Sequence, residues 1–120
     1  MGIRISISDS KVKGTEPVET EVVVHVDNKG GGGGSIQCDI ESIFPTADFT
    51  YVTDSADPVP DSISGGDLSW KDRKVLDEGT DFKYRITCNT GSQGGLVTAQ
   101  ACLAGSTTEC ASASKTVLCS

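Results

Sequence analysis

Five cysteines, at positions 38, 88, 102, 110 and 119, and one histidine, His25, are the residues here whose types could hold a metal, carry redox chemistry or assist a nucleophile. Zinc needs four converging ligands, and structural zinc sites announce themselves by close Cys or His pairs. No Cys-x-x-Cys occurs, and His25 lies in a strand-like run far from any cysteine. No metal site or cofactor is therefore expected. Disulfides are the better reading, and an odd count leaves one thiol over. A serine nucleophile would need a base and an orienting acid. A single histidine on a strand face, with no nucleophile-elbow motif, argues against hydrolysis, and no catalytic residue is assigned. His25 has no partner at suggestive spacing and is expected to be exposed or partly covered.

Asp54, Asp57, Asp61 and Asp67 gather around a Pro-rich stretch. Calcium takes six to eight oxygens, but the Asp-x-Asp-x-Asp-Gly opening of a calcium loop is absent, so these read as solvated turn acids. Lys83 and Arg85 share one strand face, with Lys71, Arg73 and Lys74 nearby, and cross-strand pairing with acids is their plainer account. Trp70 is expected to fill a core rather than to present a sugar platform. Neither Asn28 nor Asn89 opens a glycosylation sequon.

The elements that must position these residues have period two. Ile3, Ile5 and Ile7 alternate with Arg4, Ser6 and Ser8; Val22, Val24 and Val26 with Val23 and His25; Ile36, Cys38 and Ile40 with Gln37, Asp39 and Glu41. Further strands are expected around 49–53, at 68–72, over a run bearing Phe82, Tyr84, Ile86 and Cys88 on one face, and at 96–103 and 109–120. Residues 56–67 read as turns. No helix-period segment appears, so the class is all-β, a sandwich or barrel of seven or eight strands. The inward sets Ile3/Ile5/Ile7, Val22/Val24/Val26, Phe82/Tyr84/Ile86 and Val97/Ala99/Ala101 form the expected core. Gly30 to Gly34 is a run no regular element survives, read as a flexible loop.

Parity also sorts the cysteines. Cys102 and Cys110 flank one tight turn; centred on Ser106, it sets them opposite each other on the outward face, within reach of a bridge. Cys38 and Cys88 take inward parity and are expected to meet inside the sandwich, as an inter-sheet bridge or a thiol pair. Cys119 is then the free thiol, or pairs outside the domain; the rival arrangement joins Cys119 to Cys38 or to Cys88.

Composition bounds the rest. The 120 residues suffice for one domain and exclude a TIM barrel. A net charge of −7 argues against a nucleic-acid backbone as partner. No stretch of 18 apolar residues is present, so no membrane insertion is expected. The N-terminus lacks the basic and apolar regions of a secretory signal. A disulfide-bearing domain of this kind is expected to be a piece of a longer exported protein, with Met1–Gly2 as an added start.

An ordered series spans residues 19 to 118. It runs from "VVVHVDNKG" through "IESIFPTADFTYV", the lone Trp of "LSWKD" and the Leu-x-x-Gly turn of "LDEGTDFKYRI" to the closing hairpin "GLVTAQACLAG…ASASKTV". This series resembles the conserved domain of unknown function repeated in tandem in large bacterial and archaeal surface proteins. Ala99 stands where that family usually has Asn, which weakens any carry-over of an Asn-based isopeptide cross-link. The resemblance implies one immunoglobulin-like sandwich over 1–120 and a non-enzymatic spacer on the cell surface, whose partners are neighbouring domains of the same chain. The alternatives are a module binding a protein or glycan through its loops, and a filament or viral surface subunit.

Overall fold

Alternating side chains that bury every second residue give strands throughout the computed structural model, which describes residues 2–28 and 34–119. Among these, nine strands and no helix occur: β1 (Arg4–Lys11), β2 (Glu19–Asp27), β3 (Ile36–Ile43), β4 (Phe49–Tyr51), β5 (Ser62–Ser64), β6 (Asp67–Val75), β7 (Thr80–Cys88), β8 (Gly94–Leu103) and β9 (Cys110–Leu118). They form two antiparallel sheets, β1-β2-β7-β4 and β5-β6-β3-β8-β9, packed as a β-sandwich. The count exceeds the expected seven or eight by way of β5. This three-residue edge strand arises from a stretch read as turns, because Ser62–Ser64 pair back on Asp67–Ser69 across Gly65 and Gly66. The glycine run read as a loop at 30–34 lies outside the described residues except for Gly34, which adopts φ +85°.

The core lies between the sheets. Val22, Val24 and Val26 of β2 and Phe82, Tyr84 and Ile86 of β7 face Cys38 and Ile40 of β3, Leu68 and Trp70 of β6, and Val97, Ala99 and Ala101 of β8. Phe44, Phe49, Val75 and Val117 complete it. Burial of this apolar surface, at about 25 cal/mol per Å2, is the principal stabilising term. Trp70 is fully buried, packs on Phe82 at 5.4 Å between ring centroids, and donates its Nε1–H to Pro58 O at 2.7 Å. It fills the core and is no sugar platform.

Ile3, Ile5 and Ile7 are only half-buried, against the expectation of a core position. Their strand ends one sheet on the side where β9 ends the other. There β9 offers only the small, half-buried Ala111 and Ala113 and then the exposed Lys115, too little apolar surface to cover three isoleucines. No ladder joins β1 to β9; side chains cross the seam instead. Lys115 Nζ lies 3.4 Å from Asp9 Oδ1, and the Lys11 ammonium donates to the Leu118 carbonyl.

β6 carries a bulge. Cys38 pairs with Arg73 but Ile40 with Trp70, so between them one residue of β3, Asp39, opposes two of β6, Lys71 and Asp72. Asp72 takes a left-handed φ of +54° there, and its N–H is held by Asp39 Oδ1 at 2.8 Å. An aspartate tolerates this region better than most residues, and the bulge restores inward parity to Val75 beyond it.

Candidate functional site

The cysteines fall at the two poles of the sandwich. At one pole lie the turn joining β8 to β9, the start of β3 and the start of β7. At the other lie the ends of β7 and β9 and the start of β2. Cys102 and Cys110 are directly opposed across β8 and β9 and bonded to each other, with Cα atoms 4.0 Å apart. Leu103 N–H donates to Glu109 O, so the neighbouring pair is hydrogen-bonded. Cys102 and Cys110 thus occupy a non-hydrogen-bonded position, where opposed residues approach most closely.

Cys88 is bonded to Cys119, not to Cys38. This corrects the inward pairing of Cys38 with Cys88 and the assignment of Cys119 as the free thiol. Cys38 and Cys88 do share inward parity, but β3 begins at the pole where β7 begins, and Cys88 ends β7. At about 3.3 Å of rise per residue, roughly 15–20 Å of strand separates their levels, far beyond the reach of a disulfide. β9 starts beside Cys38's pole and ends beside Cys88, which delivers Cys119 to it. Cys38 is the free thiol, fully buried beside Leu103 and Arg73. Burial, with a smaller contribution from the Asp39 carboxylate, pushes that thiol up to about 11. It is inert rather than nucleophilic.

His25 has partners that sequence spacing did not suggest. It pairs across the ladder with Asp81, and Nδ1 lies 2.6 Å from Asp81 Oδ1. Its Nε2 is 3.7 Å from Asp27 Oδ2. Asp27 is itself held by Arg4 at 2.9 and 3.3 Å, and that hydrogen bond raises the Arg4 guanidinium above its ordinary value. Gly79, at φ +122°, lies so close that a Cβ there would meet the imidazole at 2.2 Å. His25 is therefore a clamped member of an outer-face charge network. The same face pairs Arg85 with Glu19 at 3.1 Å and Glu21 at 3.9 Å, and the backbone of Lys83 with Asp57. Arg85 is thus paired with acids across the ladder, as cross-strand charge pairing would have it.

The loop acids do not converge. Asp61 accepts from Lys71 N–H at 2.5 Å and from Arg73 at 3.2 Å, and the Lys71 bond in particular holds its carboxyl below the usual range. Asp67 faces Glu41, and that hydrogen bond, with burial and the Asp67 charge, raises Glu41 while Lys71 opposes. Asp67 Oδ1 is buried without a hydrogen bond. Among the described residues no group of three or more metal-ligating side chains comes together.

Two further surface features are open to a partner, one mixed in polarity and one mainly apolar. On the outer face of β3, β8 and β9, Ile43, Leu96 and Leu118 are 43, 53 and 57% exposed and sit diagonally across three adjacent strands. Beside them runs a groove of about 400 Å3 between Glu41, Thr98, Gln100, Ser112 and Ser114. In the loop after β4, Tyr51, Ala56, Val59, Pro60 and Ile63 line a recess of about 370 Å3. Among the described residues, no helix is long and apolar enough to cross a membrane. No family model matches the chain, and no curated protein matches it either.

Proposed function

We propose that this chain is a non-enzymatic spacer module of an exported cell-surface protein, of the kind repeated in tandem in large bacterial and archaeal surface proteins. One observation carries the reading. β1 and β9, the first and last strands, run parallel, so the chain enters at one pole and leaves at the other of a body 45 × 25 × 22 Å. Copies joined in series would stack end to end, each adding its long axis to the reach of the array. Two disulfides in so small a domain are compatible with an oxidising, extracellular location. The test has two arms: the sequence flanking this domain in its gene, and protease shaving of intact cells. Tandem copies and release of the domain by the protease are expected. An isolated copy in the cytosol would overturn the reading.

A loop-mediated binding module for a protein or glycan is the second reading, and the recess beneath Val59, which is 75% exposed, favours it. Chemical-shift changes confined to residues 51–63 on titration with oligosaccharides would select it.

A further inference from the structure

We infer that the Cys88–Cys119 bridge diverts tension away from the β8–β9 hairpin, so that a pull on the two ends of this domain is carried by β1, β2 and β7 alone. The inference deepens the spacer reading and rests on it for its biological use, though the force path is a property of the fold. Tension arriving from the N-terminal side enters β1 at its Arg4 end. Tension from the C-terminal side enters at Cys119, one residue beyond β9, and passes through the disulfide to the last residue of β7. β1 is thus drawn toward one pole and β7 toward the other. Between them stands β2, joined to each by a ladder of eight residue pairs. Both ladders lie along the line of pull and are loaded in shear, so their hydrogen bonds resist together instead of opening one at a time.

The 31-residue span from Cys88 to Cys119 lies off this path. It contains β8, β9 and the second bridge, Cys102–Cys110, which closes an eight-residue loop inside it. While Cys88–Cys119 is intact, this span cannot lengthen even after the rest of the domain has unfolded. The outer face of β8 and β9, with Leu96 and Leu118, therefore sits on a hairpin whose ends stay covalently closed under load. Among the described residues no ladder spans the seam between β1 and β9, and its polar bridges run from side chains, Lys115 to Asp9 and Lys11 to the Leu118 carbonyl. β1 can slide without tearing a ladder to β9.

Single-molecule stretching of the full chain between terminal handles tests this. At about 3.6 Å per extended residue, oxidised protein should unfold with a length gain about 11 nm shorter than fully reduced protein. The double substitution Cys88→Ser with Cys119→Ser, which keeps the hairpin bridge, should recover about 8 nm of that difference. Cys102→Ser with Cys110→Ser should leave the oxidised gain unchanged, since that bridge is bypassed. If the Cys88/Cys119 variant does not fold, wild-type protein held extended in a dithiol should show a later lengthening step of about 8–11 nm as the exposed bridge is cleaved. A full-length gain from oxidised protein, or no later step in dithiol, overturns the inference and leaves the spacer reading standing. Absence of tandem copies in the gene overturns the spacer reading and leaves the step in place.

Discussion

The Tyr84 hydroxyl lies 2.8 Å from Ser42 Oγ, joining β7 of one sheet to β3 of the other inside the core. Ser42 Oγ in turn donates to Thr98 O at 3.2 Å on β8, so its single proton is committed and Tyr84 donates to it. The two ends of this link are not equivalent. Ser42→Ala strands a buried phenol and should cost about 1–3 kcal/mol, whereas Tyr84→Phe leaves Ser42 its bond to Thr98 and should cost about 1 kcal/mol. Urea denaturation of both variants checks the order; equal costs would mean that Tyr84 finds another acceptor.

The same tyrosine sets an alkaline limit. Burial pushes Tyr84 up to about 12 from an ordinary 10.0, partly opposed by Ser42. A folded value above the unfolded one means that the contribution to stability is fully present below pH 10 and is lost as pH rises through about 12. Stability should decline across that window, and the decline should be shallower in Tyr84→Phe.

Glu41 works in the same sense at lower pH. Its value is raised chiefly by the hydrogen bond with Asp67, so its contribution favours the fold in acid and fades as pH rises. Glu41→Gln should therefore stabilise the protein at pH 7, by roughly 0.2–1 kcal/mol as for a like-charged pair on adjacent strands. The gain should vanish near pH 4. Thermal melts at the two pH values read it directly; an equal effect at both would show that the two carboxyls do not interact.

Cys38 gives a count. Iodoacetamide at pH 8 should label no thiol in folded, unreduced protein and one, Cys38, after denaturation without reductant. Labelling of Cys119 in either state would contradict the Cys88–Cys119 bridge.

Trp70→Phe should cost about 2–3 kcal/mol through lost volume and the orphaned Pro58 carbonyl. Trp70 emission should be blue-shifted when folded and shift red on unfolding; a red native spectrum would place the indole in water.

Much of this was legible in the sequence because it depends on neighbours along one strand. Side-chain alternation has period two whatever the strand packs against, so the inward sets of β2, β7 and β8, the core position of Trp70 and the opposition of Cys102 and Cys110 across a short turn follow from local order. The all-β class follows in the same way. The extent of β6 did not: "LSWKD" reads as a short strand, but the Asp72 bulge carries it on to Val75 by spending one residue that breaks parity. Parity says which face a residue takes and nothing about how far along the sandwich it lies. Cys38 and Cys88 share a face at different poles, and only the direction in which each strand runs brings Cys119 to Cys88. The same holds for Ser42 with Tyr84, Glu41 with Asp67 and His25 with Asp81. Each of these pairs joins residues at least 26 positions apart, and their contact is decided by which strands become neighbours and in which register, a choice made by the packing of the whole core.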